Sequence, residues 1–124
     1  MFLMSNVNHP AHYNQFPVEC IDIAELLNFN QGNAFKYVWR AHEKGKATED
    51  MLKAVFYLER EIAHETPFAA MDDDVHLDVT EKIMSCGFPG WQMCILGEIV
   101  NYTNTARITY LHEAKRRILE QLGK

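Results

Sequence analysis

Asn33, Lys36, Tyr37, Arg40, Lys44 and Lys46 crowd into one stretch, GNAFKYVWRAHEKGK from Gly32 to Lys46, of a chain whose net charge is -5. At about 100° per residue, Asn33, Lys36, Arg40 and Lys44 fall on one side of a helix, and Ala34, Phe35, Val38 and Trp39 on the other. A helix so patterned can bury one face while turning several cations and an amide toward a common space. That chemistry suits an anion, phosphate above all. The plain alternative is a solvated basic face on an amphipathic helix.

Other chemistry-bearing residues are sparser. His9 and His12 stand three apart beside Tyr13 in a segment punctuated by Asn6, Asn8, Pro10, Asn14 and Pro17. A metal site needs further ligands, and none stands nearby in sequence, so a phosphate-facing or structural role fits them better. Glu61 and Glu65, with Glu49 and Asp50 earlier in the same element, only faintly resemble the helical acid clusters that hold magnesium in all-α pyrophosphohydrolases. Glu59 falls among apolar positions on the helical wheel and calls for a partner such as Arg40, or for a place at a helix junction. The adjacent Asp72, Asp73 and Asp74 read as a solvated acidic loop. The glycine-rich phosphate loop, the dinucleotide fingerprint, the nucleophile elbow and the zinc-protease helix motif do not occur.

The chain has 124 residues, enough for one domain with a real core. Its acidic balance provides no global field for nucleic acid, which argues against that partner; any such binding would need a local patch. Cys20, Cys86 and Cys94 are spaced like no zinc finger or ribbon and read as free thiols of a reducing compartment. The apolar start, Met1 to Met4, is too short for a signal segment, and no run approaches the roughly 20 apolar residues that span a bilayer. The expected location is the cytoplasm (the host's, if the gene is a phage's), with no membrane partner.

The elements that must position these residues are helical. The expected fold is predominantly all-α, a compact bundle of five or six helices. Residues 1–16 read as an extended N-terminal segment and 17–65 as a helical core carrying the basic motif. Residues 66–75 read as an acidic connecting loop, and 76–124 as a C-terminal helical extension of the same domain. Pro17 opens a first helix with Val18, Ile21, Ile23, Leu26 and Leu27 on one broad side, ended by Asn28, Asn30 and Gly32. A second covers Asn33 to Glu43. A third, capped by Thr48, runs to His64 with Leu52, Val55, Phe56, Ile62 and Ala63 inward and Lys53, Tyr57, Arg60 and His64 opposite. A short helix over 76–86 precedes Gly87. Gly90 to Val100 is a core segment, helix or strand, and Tyr102 to Thr105 breaks its pattern. Ala106 to Leu122 forms the last helix, with Ile108, Leu111, Ala114, Ile118 and Leu122 on one face.

One ordered series adds a resemblance: VNHPAHY at Val7 to Tyr13, then Glu19, Ile21 and Asp22, then GNAFKYVWR from Gly32 to Arg40 and KGK at Lys44 to Lys46. Glu49 and Asp50 follow, then KAVFYLER from Lys53 to Arg60. Over roughly residues 7–62 the chain resembles a phage and prophage family of unknown function that includes an early phage deoxynucleoside monophosphate kinase lacking a P-loop. The resemblance implies a small α-helical protein acting on deoxynucleotides. Lys36 and Arg40 become the catalytic candidates, with Asn33 also a leading phosphate ligand. His9, His12, Tyr13, Tyr37, Lys44, Lys46 and Lys53 complete the expected substrate-binding set. Asp22, Asp50 or Glu59 could orient a cation or the accepting phosphate. A nucleoside triphosphate with magnesium is one candidate donor, and the sequence itself specifies no cofactor. So small a chain leaves little room for two nucleotides, which points to a homo-oligomer with shared sites. Residues 66–124 carry no motif of the family. The competing reading is a non-catalytic nucleotide sensor or sequestering protein; a nucleic-acid interaction factor stands behind it.

Overall fold

The computed structural model describes residues 17–41 and 46–124. Six helices form there: α1 (Cys20–Ala24), α2 (Phe29–Arg40), α3 (Ala47–His64), α4 (Asp73–Ser85), α5 (Gly90–Thr105) and α6 (Thr109–Gln121). There is no strand among the described residues, so the fold is all-α, as the periodicity predicts. Helix α2 packs on α3 and α5, α6 on α3 and α5, and α4 on α5. No helix among these residues is long and apolar enough to cross a membrane.

α2 begins four residues earlier than its spacing predicts. Asn28 accepts a hydrogen bond from Gln31 N at 2.9 Å, so this asparagine opens α2 rather than closing the helix before it. Gly32 therefore lies inside the helix, where a Cβ would come within 3.0 Å of Ala24 O. That close approach lets α1 lie against α2. α1 is a single turn, with Leu26 N and Leu27 N bonding back to Ile23 O and Ala24 O. It buries Cys20 and Ile23 but leaves Ile21 and Leu26 exposed, against the broad apolar side expected.

The inner face of α2 is as its pattern requires: Ala34, Phe35, Val38 and Trp39 are fully buried. Two buried glutamines then fasten this helix to α5. Gln31 Nε2 donates to Thr103 Oγ1, and Gln92 Nε2 reaches Val38 O at 2.8 Å and Trp39 O at 3.3 Å. The second tie adds a side-chain donor at the end of the helix, where Val38 O also accepts from Ala41 N at 3.1 Å. Trp39 also meets the edge of Phe88 at 4.8 Å between ring centroids.

α3 is rotated relative to its predicted face. It buries Asp50, Met51, Ala54, Val55, Leu58 and Glu61, whereas Leu52, Phe56 and Ala63 are exposed. Lys46 occupies the N-cap position with no side-chain cap, and Thr48 lies within the helix. Residues 66–72 connect α3 to α4 outside any helix, but the acidic run opens α4: Asp72 caps it through Val75 N at 2.9 Å, and Asp73 and Asp74 fill its first turn. There they meet the positive end of the helix dipole. α5 is a helix throughout Tyr102 to Thr105, ending at Ala106 with φ of 60°. α6 starts at Thr109 and buries Leu111, Ala114 and Ile118.

Candidate functional site

With the inner face of α2 sealed against the core, its outer face carries Asn33, Lys36, Tyr37 and Arg40, all half-buried. α3 lies alongside and adds Lys53 and Tyr57. The arrangement centres on the Tyr37 ring. Lys36 Nζ lies 4.4 Å, Lys53 Nζ 5.3 Å and the Arg40 guanidinium carbon 5.9 Å from its centroid. Cations hold these positions through attraction to the ring's negative face, and partial burial of the tyrosine strengthens that attraction. Tyr57 stacks on Tyr37 with centroids 6.0 Å apart and planes 11° from parallel.

The charges are unequally engaged. Lys53 pairs with Glu49 at 3.1 Å on the same helix. That hydrogen bond holds the ammonium above the ordinary lysine range and the Glu49 carboxyl below its own. Arg40 has its Nε buried without a hydrogen-bond partner among the described residues. Cys20 lies within electrostatic range of Lys36 and Arg40. Burial pushes its thiol up to about 12 despite their pull, so this cysteine packs beneath the site as a neutral group.

The predicted residues sort as follows. Lys36, Tyr37, Arg40 and Lys53 come together. Asn33 shares their helix face, but its Nδ2 donates to Phe29 O at 2.9 Å. Lys46 is exposed at the start of α3. His9, His12, Tyr13 and Lys44 lie outside the described residues. Of the three acids considered for orienting a cation, Asp22 is exposed, and Glu59 is exposed and paired with Lys115 at 2.9 Å. The expected Glu59–Arg40 partnership is therefore replaced by a link from α3 to α6. Asp50 is the buried one, its Oδ2 without a hydrogen-bond partner among the described residues and Lys53 within electrostatic range. Among the described residues no group of three or more His, Cys, Asp or Glu gathers to hold a metal ion.

Sequence reasoning missed the aromatic side of this surface. Phe29 meets Tyr57 edge-on at 6.1 Å, and Phe56 does so at 5.1 Å. The available signal was Lys53 and Tyr57 one turn apart on α3, matching the stripe of Lys36, Tyr37 and Arg40 on α2. Glu61, read from the sequence only as part of a faint acid cluster, is fully buried on α3, and its Oε1 accepts from Asn30 Nδ2 at 3.3 Å.

No curated protein and no solved structure matches the chain. Residues 7–59 match a family model described as a protein of unknown function, DUF3310, so the part of the chain holding every predicted site residue is similar to that domain family.

Proposed function

We propose that the protein binds deoxynucleoside monophosphates at the cation-ringed Tyr37 and transfers a phosphoryl group to them. The observation that carries this reading is the convergence of Lys36, Arg40 and Lys53, from two helices, within 4.4 to 5.9 Å of one tyrosine ring centroid. Three cations at one aromatic surface complement a phosphate joined to a flat base. The kinase activity itself rests on the resemblance to the phage family.

In the reaction, an oxygen of the bound monophosphate attacks the γ-phosphorus of a nucleoside triphosphate. The bond from that phosphorus to the β,γ-bridging oxygen breaks, and two nucleoside diphosphates result. Such transfer is governed by positioning and charge rather than by covalent chemistry from the protein. Arg40 offers a planar fork to phosphate oxygens, and Lys36 and Lys53 act as point charges. Magnesium, carried by the donor's own phosphates, supplies further charge neutralisation. The donor side falls to a second copy of the chain, in a homo-oligomer with shared sites.

One observation favours binding without turnover. Lys53, Phe29 and Phe56 are solvent-exposed, whereas a site that keeps water out favours transfer over hydrolysis. Calorimetric titration with deoxynucleoside monophosphates, beside chromatography for diphosphate products with ATP and magnesium, separates the readings. Lys36→Ala and Arg40→Ala should each weaken binding by about 1–3 kcal/mol, the range for charge-assisted hydrogen bonds. Their melting temperatures should stay close to that of the wild type, because neither residue has a carboxylate partner among the described residues. Binding with no product leaves a sensor or sequestering protein. No binding at millimolar nucleotide rejects both.

A further inference from the structure

Phe29 and Phe56 are 73% and 54% exposed, whereas Phe35, Trp39, Phe88 and Tyr102 are all buried. Contiguous exposed apolar surface on a small domain marks a place that meets something, and these two rings are joined through Tyr57. These two adjoin the cation cluster. Both meet Tyr57, their planes standing at 74° and 84° to its ring, and Tyr57 in turn stacks on Tyr37. The surface thus runs from exposed rings, through a tyrosine pair, to three cations.

We propose that Phe29 and Phe56 form the nucleobase-stacking part of this site, recognising the base through its flat face with little regard to its identity. The inference rests on the phosphate-binding reading of Lys36, Arg40 and Lys53. Charge complementarity selects the occupant: an apolar group seated beside these cations must carry its own anion, and a base joined through one sugar to a phosphate does so. Base tolerance follows from the mode of contact, which meets the flat face of the base and not its edge. Stacking is sequence-tolerant because every base has a π-face, and purines offer more of it than pyrimidines.

The test titrates the full chain with dGMP, dAMP, dTMP, dCMP, 2-deoxyribose 5-phosphate and inorganic phosphate. Wild type is compared with Phe29→Ala and Phe56→Ala, and with Phe29→Leu and Phe56→Leu, which keep apolar bulk without a ring. The expected result is purine monophosphates binding a few-fold tighter than pyrimidine ones, and all four tighter than the sugar phosphate. Each alanine variant should weaken dGMP on the order of tenfold, the span measured for loss of one stacking ring, and the leucine variants nearly as much. Affinity for the sugar phosphate should not change. The inference is overturned if the sugar phosphate binds as tightly as dGMP, or if the variants weaken every ligand alike. It is also overturned if they dissolve a dimer in sedimentation while dGMP affinity holds, since the rings would then cover a second copy. If the wild type binds none of the six ligands, the phosphate reading fails first and this one with it.

Discussion

Arg40 and Glu59 show what one residue's surroundings decide. On a helical wheel Glu59 lies among apolar positions and Arg40 is a plausible partner, yet α3 is turned so that Glu59 meets Lys115 in water. The carboxylates taken inside are Asp50 and Glu61, the latter only two positions on. A wheel drawn without knowing which neighbour covers which side cannot distinguish these rotations. Glu98 provides a residue-scale test. Its carboxylate is largely covered and lies 3.3 Å from Arg117 Nε. Burial raises its pKa and outweighs the opposing pull of Arg117. A carboxyl raised by folding favours the fold while protonated, below the ordinary value of 4.5, and loses that contribution as pH rises through its folded value. At neutral pH the charged form is a cost. Glu98→Gln keeps an acceptor for Arg117 and should raise stability at pH 7, by under about 1 kcal/mol, with the gain vanishing toward pH 4. Thermal melts across that range check it; a loss at pH 7 that disappears in acid would show that the ion pair outweighs burial.

Among the elements, α2 was legible where α1 and α3 were not, for a physical reason. The inner residues of α2, Ala34, Phe35, Val38 and Trp39, are covered on both flanks, by α3 and α5, so hydrophobic period and burial coincide. α3 keeps Leu52 and Phe56 outside and takes Asp50 and Glu61 inside, so its pattern points the wrong way. Its start was also misread, because Thr48 has the chemistry of a cap but not the place. Helix ends offer a paired prediction. Ala106 closes α5 with φ of 60°, a left-handed conformation that costs an L-residue roughly 1–2 kcal/mol. Ala106→Gly should therefore stabilise the protein by about 1 kcal/mol. Gly32→Ala, which helix propensity alone would favour by a similar amount, should destabilise. Its new Cβ would sit 3.0 Å from Ala24 O, a carbonyl already fixed by Leu27 N. Chemical denaturation of both variants tests whether the two substitutions move stability in opposite directions.

At the scale of the whole molecule, the part that carries the site is not the part that holds it in place. Residues 7–59 match the family model, and every predicted site residue lies there. Yet the buried face of α2 rests partly on α5, and Gln92, Thr103 and Phe88, which clasp its two ends, all come from residues beyond that match. The stretch between the halves is tied down as well, since Met71 N bonds to Thr103 O at 2.9 Å and Asn104 Nδ2 to Met71 O at 2.9 Å. Polar residues such as Gln31 and Gln92 look like surface in a sequence, and only long-range packing makes them core. A fragment of residues 1–65 would expose Phe35 and Trp39 and would remove the Gln92 donor from the end of α2. A chain of that length buries only about 60% of the surface its unfolded form exposes and is marginal even when its core is complete. It should melt without a cooperative transition and lose the ordered setting of Lys36, Tyr37 and Arg40. Circular dichroism against temperature decides the matter: a cooperative melt in the fragment would make α1 to α3 a self-sufficient unit, with α4 to α6 an addition to it. A broad, featureless one would make the second half the scaffold on which the cation cluster is aligned.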